Sequence, residues 1–236
     1  MPKKNRPEQY VISLGGSLVF SKEGIQIEFL RQFGEFIRKR FAENPARQFF
    51  IVVGGGALAR QFRDAGEALD GKELGSRELD WLGIHATKLN AHLVRAMFHE
   101  VAPAEIIADY ENLPNFTESV VVGGGWKPGW STDYDAVLLT ERYRVKTLIN
   151  LSVIDGVSMT DPVKNPKSPI VKKFSWEDFR ALVGDVWTPG KNTPFDPVAS
   201  KKAEALRLKV IVMRGNNFPN LESYFAGKLF VGTTIE

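Results

Sequence analysis

The chain of 236 residues contains no cysteine. That absence removes disulfide frameworks, thiolate nucleophiles, zinc ribbons and iron–sulfur clusters together. No apolar run approaches the roughly 20 residues needed to cross a bilayer. Histidine is scarce, with three in the whole chain, and the excess of cations is small: 31 Lys and Arg against 28 Asp and Glu, a net charge of +3. Three of those cations fall in the first six positions (Lys3, Lys4, Arg6), and no basic block follows, so a duplex-binding face is not expected. The N-terminal stretch leads into a short strand-like run and lacks a signal-peptide apolar region, so a cytoplasmic protein is expected. With 43% hydrophobic and 25% charged residues, the composition also excludes disordered, collagenous and coiled-coil classes. The length corresponds to about 1.6 average domains and can bury roughly 70% of the unfolded surface.

Short apolar runs alternate with stretches of helical period. Strands are expected over 10–14 (YVISL), 48–53 (QFFIVV), 104–108, 119–122, 145–149 and 209–213. Helices are expected where Ile27, Leu30, Ile37 and Phe41 recur, from Ala57 onward, and over 79–99, 132–143, 175–182 and 197–207. This βαβα alternation predicts helices on both faces of a mostly parallel sheet. The stretch 151–172, rich in Pro, Asp and Lys, is read as a loop carrying a hairpin, and 151–160 as the seam between two lobes.

Three strands end in glycine: Leu14-Gly15-Gly16-Ser17, Val53-Gly54-Gly55-Gly56 and Val122-Gly123-Gly124-Gly125. Glycine lets a backbone turn sharply and bring its N–H groups against an anion, and a helix starting there adds free amides and a positive dipole end. One such turn is often only a tight turn; three in one chain predict several phosphates meeting over the carboxyl edge of the sheet. A P-loop is excluded, because Gly184 to Gly190-Lys191-Asn192 has one residue too many and Asn in place of Ser or Thr. Gly54 to Ala59 fits G-x-G-x-x-A, yet residues 70–80 hold no second strand ending in the acidic residue a dinucleotide site needs.

Arg60, one helical turn past Gly56, can fork onto phosphate oxygens, although a solvated helix arginine is the ordinary alternative. In 123–133, Trp126 and Trp130 offer stacking faces, Ser131 and Thr132 hydroxyls, and Thr132 or Asp133 an N-cap. Asp196-Pro197 opens a helix, with Lys201 one turn inward, either solvated or reaching a phosphate. Asp155 and Asp161 read as turn formers or ligands. His85, His92 and His99 recur every seven residues, about 10 Å apart along a helix, too far to share a metal. They are read as flank or interface residues, and no metal-ligating set is assigned.

These blocks resemble the amino acid kinase family and, within it, the uridylate kinases, most closely the archaeal type. The resemblance rests on seven blocks in order: Leu14 to Leu18; Val53 to Gly56 with Leu58-Ala59-Arg60; Asp80 to Ile84 with Thr87 and Asn90; Pro128-Gly129; Ser131 to Asp133; Asp155-Gly156-Val157 with Asp161-Pro162; and Asp196-Pro197 with Lys201. It implies an α/β fold, a three-layer αβα sandwich, with an acceptor lobe over about 1–150 and an ATP lobe over about 151–236. It implies ATP and Mg2+ as cofactors, UMP as the small-molecule substrate, and a hexamer built as a trimer of dimers. By resemblance, Gly55, Gly56, Asp80 and the loop Trp126, Lys127, Pro128, Gly129, Trp130, Ser131 and Thr132 hold UMP. Gly16, Ser17, Ala57, Arg60, Ser152, Ser158 and Asp161 hold ATP, and Arg60, Asp133, Asp196 and Lys201 serve the reaction centre. The chain departs from the family at Ser13, where many members carry Lys, at Val153 and Ser158 beside the Asp-Gly-Val motif, and at Tyr134-Asp135, where small residues are usual. Alternatives on the same fold are another phosphate acceptor such as isopentenyl phosphate, or a non-catalytic nucleotide-binding protein. A nicotinamide-binding oxidoreductase is disfavoured by the missing second strand.

Overall fold

The computed structural model describes residues 8–70, 74–160, 168–186 and 193–236. In chain order the elements are β1 (Gln9–Leu14), α1 (Gly16–Val19), β2 (Phe20–Ser21), β3 (Gly24–Ile25), α2 (Ile27–Glu43), β4 (Gln48–Val53), α3 (Gly56–Asp70), α4 (Ser76–Met97), β5 (Val120–Gly123), α5 (Thr132–Tyr143), β6 (Thr147–Ser152), β7 (Lys173–Phe174), α6 (Trp176–Val183), α7 (Pro197–Ala205), β8 (Lys209–Arg214), α8 (Phe218–Phe225) and β9 (Thr233–Ile235). One seven-stranded sheet runs in the order β5-β4-β1-β6-β8-β9-β7, parallel except for β9 against β8. β2 and β3 form a separate small hairpin.

The strands are apolar at both parities because both sheet faces are covered. Val11, Phe50, Val52, Val121, Leu148, Val210 and Val212 share one core with α5, α6 and α7. Ile12, Leu14, Phe49, Ile51, Val53, Ile149, Leu151, Ile211 and Met213 share the other with α2, α4 and α8. The expected αβα sandwich is borne out. β1 lies between β4 and β6, so the chain winds outward from it in both directions and opens a crevice at the carboxyl ends of these strands.

Four expectations are corrected. Residues 104–108 form no strand: Ile107 alone bridges to Gly123, with Pro103 just upstream holding Arg95 through its carbonyl at 2.7 Å. The strand expected over 145–149 starts at Thr147, because Arg144 ends α5 in the left-handed region (φ 57°) and Val145 N still bonds Thr140 O. The helix expected to reach residue 99 ends at Met97, which leaves His99 in the following turn. The helix α8, capped by the Asn217 side chain, and the short strands β9 and β7 at the end of the sheet were not expected. Ser158 pairs antiparallel with Ile170, as the hairpin reading requires at its described ends.

Candidate active site

The first two glycine turns are one structure. A Cβ on Gly16 would lie 2.1 Å from Gly56 N and 2.5 Å from the Gly54 carbonyl; one on Gly56 (φ 63°) would lie 2.3 Å from Gly16 O. Two backbones this close admit only glycine. β1 and β4 are in register, with Gly54 N on Leu14 O at 2.9 Å and Gly15 N on Leu151 O at 2.8 Å, so the turns leave the sheet at the same level. Asn90 of α4 donates its side-chain N–H to both Gly54 O and Gly55 O, at 3.0 and 3.1 Å, which fixes the carbonyls backward. Among the described residues, the amides of Gly16, Ser17, Gly55, Gly56 and Ala57 meet no protein acceptor. Those of Gly55, Gly56 and Ala57 lie at the N-terminus of the 15-residue α3, an anion-binding arrangement, and those of Gly16 and Ser17 stand beside it at the start of α1. Arg60 lies across them, its guanidinium 3.4 Å from Ser17 Oγ.

The third turn differs from its reading as a phosphate cradle. Gly124 N bonds Ile107 O, Gly125 N bonds Thr87 Oγ1 at 2.7 Å, and Trp126 N bonds Asp135 Oδ2 at 3.2 Å. Its amides are spent inside the protein. Its glycines serve close packing: Cβ atoms would meet Tyr110 Oη at 2.3 Å from Gly123 and the Lys88 backbone at 3.1 Å from Gly124. Thr87→Val should therefore loosen this turn and destabilise by about 1–3 kcal/mol by stranding the buried Gly125 amide, read from urea denaturation.

Beyond it, the loop from Trp126 to Ser131 folds over its own aromatics. Lys127 Nζ stands 3.8 Å from the Trp126 ring centroid and 4.5 Å from that of Trp130, and 3.1 Å from Glu111. Trp130 packs on Tyr134 at 4.7 Å. Gly129 N donates to Asp80 Oδ2 at 2.9 Å, which ties the loop through Pro128 and Gly129 to α4. The N-cap of α5 is Ser131, which accepts from Tyr134 N, and not Thr132 or Asp133. Asp133 is thereby free to face the cleft.

There Asp133 Oδ1 accepts from Ser13 Oγ at 2.8 Å and Asn150 Nδ2 at 3.4 Å, and Oδ2 from Asp196 N at 3.1 Å. Asp196 caps α7 through Ala199 N at 2.6 Å, while its buried Oδ2 has no partner among the described residues. Burial, reinforced by the Asp196 charge, pushes the Asp133 carboxyl up to about 7. Burial also raises Asp196 and holds the wholly buried Asp135 well above the carboxylate range.

The Asp133 shift has a consequence for stability. The folded state holds this proton more tightly than the unfolded chain, so the neutral form carries no penalty below pH 4. The penalty grows as pH rises and is complete above 7. In protein free of nucleotide and magnesium, the stability of Asp133→Asn relative to wild type should therefore rise between pH 4 and pH 8, by up to about 4 kcal/mol. A difference in urea midpoints that is the same at both pH values would contradict the assignment.

Lys201 is exposed on the first turns of α7, while Ser152 at the end of β6 and Ser158, bridged to Ile170, are half-buried. Asp155 pairs with Arg214 through two contacts, at 2.6 and 3.2 Å. Asp161 lies outside the described residues. His85, His92 and His99 are all exposed, and no group of three or more His, Asp or Glu is placed to hold a metal among the described residues. Sequence reasoning gave no role to Ser13, Asn150 or Asp135. Ser13 and Asn150 are register partners in β1 and β6, and a polar residue inside an otherwise apolar strand was the available signal.

Over residues 8–214 the sequence matches the Amino acid kinase family. This chain belongs to the amino acid kinase family. It is 33% identical over 216 residues to the uridylate kinase of Methanothrix thermoacetophila, covering 89% of this chain and 92% of the relative. It is 34% identical over 231 residues to that of Methanospirillum hungatei, covering 95% and 93%. The crystal structure of the uridylate kinase from Archaeoglobus fulgidus superposes with a TM-score of 0.79 at 29% identity, over 97% of this chain and all of that one. The UMP kinase structure from Bacillus anthracis, at 19% identity and a TM-score of 0.74 over 97% and 96%, shares the fold. The resemblance read from the seven motif blocks is borne out.

Proposed function

We propose that this protein is a uridylate kinase, transferring the γ-phosphoryl of ATP to UMP to give UDP and ADP. The observation that carries the reading is the contact of Gly16 with Gly54–Gly56 beneath Arg60. Two sets of unspent amides and a guanidinium converge there on one point of the carboxyl edge. Sequence identity of 33–34% to archaeal uridylate kinases over most of the chain supports the acceptor.

UMP brings its own phosphate oxygen as nucleophile, so no general base is required. Rate comes from in-line positioning and from neutralising charge on the transferring group. Gly16, Ser17, Ala57 and Arg60 border that group, and Lys201 adds charge from α7. Gly55, Gly56, Asp80 and the loop from Trp126 to Thr132 hold UMP. Ser152, Ser158 and Asp161 serve the nucleoside end of ATP. Residues of about 1–150 thus form the acceptor lobe and 151–236 the donor lobe.

Asp133 and Asp196 fit a magnesium ion travelling with ATP: both carboxyls are raised by burial, and Asp196 Oδ2 lacks a partner among the described residues. When bound, magnesium would supply positive charge to the phosphates. These two carboxylates would hold it through its water shell, and Ser13 and Asn150 orient Asp133 for that task.

No described helix is long and apolar enough to cross a membrane. The cytoplasmic location and a hexamer built from dimers remain part of this proposal. Phe62 and Leu69 of α3 and Leu89 of α4, between 53% and 88% exposed, support contact with a second copy. Light scattering should give six times the 26.4 kDa chain.

Incubation with ATP, magnesium and a panel of UMP, CMP, AMP and isopentenyl phosphate tests the activity through ADP release. Turnover with UMP above the others is expected. Preference for isopentenyl phosphate would move the acceptor class, and nucleotide binding without ADP release would make this a non-catalytic binding protein.

A further inference from the structure

Asp135 is wholly buried on α5. One carboxyl oxygen accepts the Trp126 amide at 3.2 Å, and the other, Oδ1, has no partner among the described residues. Burying a carboxyl with half of its acceptors idle is costly, and an apolar side chain would fill the space more cheaply. The cost attaches to a particular place. Three consecutive residues of the strand-end turn are each pinned by a buried side chain: Gly124 through its carbonyl by Tyr110 Oη at 2.8 Å, Gly125 through its amide by Thr87, and Trp126 through its amide by Asp135. Between Trp126 and the cap at Ser131, the hydrogen bonds that hold the loop to the rest of the protein among the described residues are exposed ones, Lys127 to Glu111 and Gly129 to Asp80. The Trp126 amide is therefore the last buried anchor before the chain turns out over the acceptor side.

We propose that Asp135 is a positioning residue for the acceptor nucleotide. Through the Trp126 amide it sets the height of the loop Trp126–Thr132 over α4, and with it the affinity for the nucleoside monophosphate. The proposal rests on the uridylate kinase reading of this loop. It predicts an effect on one substrate only, because Ser152 and the Gly16 turn hang on β6 and β1, and Ser158 on a bridge to Ile170. It also assigns the work to an acceptor oxygen and not to charge, since an amide N–H is what Asp135 holds.

Three variants test it. Asp135→Ala and Asp135→Val both remove the acceptor, the second while filling the volume so that the fold is kept. Asp135→Asn keeps an oxygen for the Trp126 amide. The first two should raise KM for UMP roughly tenfold or more, with kcat and KM for ATP within about twofold of wild type, and Asn should restore KM for UMP. UMP binding measured by calorimetry without ATP should weaken in parallel. An unchanged UMP affinity in folded Val variant, a matching loss for ATP, or an Asn variant as damaged as Val would each overturn the proposal. Wild type that binds UMP without turning it over would sink the kinase reading alone. Wild type that does not bind UMP would sink both.

Discussion

Gly16→Ala is expected to lower stability by about 3 kcal/mol or more and to cut phosphoryl transfer at least a hundredfold. The new methyl would lie 2.1 Å from Gly56 N and 2.5 Å from the Gly54 carbonyl atoms. These are backbone atoms at the ends of two paired strands, and no rotamer change can move them aside. β1 and β4 would have to separate, or the Gly54–Gly56 turn would have to shift and carry the N-terminus of α3 with it. Either movement displaces the amides of both turns and Arg60 at once. A displacement near 1 Å at a site that works by positioning is enough for the stated loss. Gly24→Ala is the control: a Cβ there meets nothing within 4 Å and adds only the strain of a φ of 101°, about 1 kcal/mol. Urea denaturation and steady-state turnover read both effects. A Gly16→Ala protein with ordinary kinetics would mean that the two turns do not jointly hold the phosphates.

The elements that the sequence revealed in full are those with strong local signals. β4 coincides with its apolar run over 48–53, and α5 with the stretch that starts after Ser131 and ends before Arg144. The two shortest strands, at one end of the seven-stranded sheet, were hidden for the opposite reason. β7 has two residues and β9 three; β7 pairs with β9 and β9 with β8, each across a long separation, so nothing local marks them. The site divides the same way. Glycines after strands are visible in one dimension, but whether their amides are presented or spent depends on what packs behind them. Ile107 O, Thr87 Oγ1 and Asp135 Oδ2 take up the amides of the third turn, whereas the amides of Gly16 and Gly56 meet no acceptor among the described residues. The aromatic wall was legible as composition only. That Lys127 covers the faces of Trp126 and Trp130 is a property of the folded loop, and a stacking base must displace that ammonium or use another face.

Arg60→Ala should leave the fold intact and reduce kcat/KM about a thousandfold. Its guanidinium is half-buried over the junction of the two turns, and its one side-chain hydrogen bond among the described residues is a long one, 3.4 Å to Ser17 Oγ. Little native structure is lost with it. Its value lies in charge: the transferring phosphoryl group spreads negative charge over three oxygens, and a positioned guanidinium at such a group contributes about a thousandfold or more. Because the contribution comes from a planar fork as well as from charge, Arg60→Lys should recover only part of the rate. The loss should fall on kcat as well as on KM, which separates stabilisation of the transferring group from simple binding of a nucleotide. A loss confined to KM would place Arg60 on a phosphate that does not move, and near-normal turnover would remove it from the reaction centre.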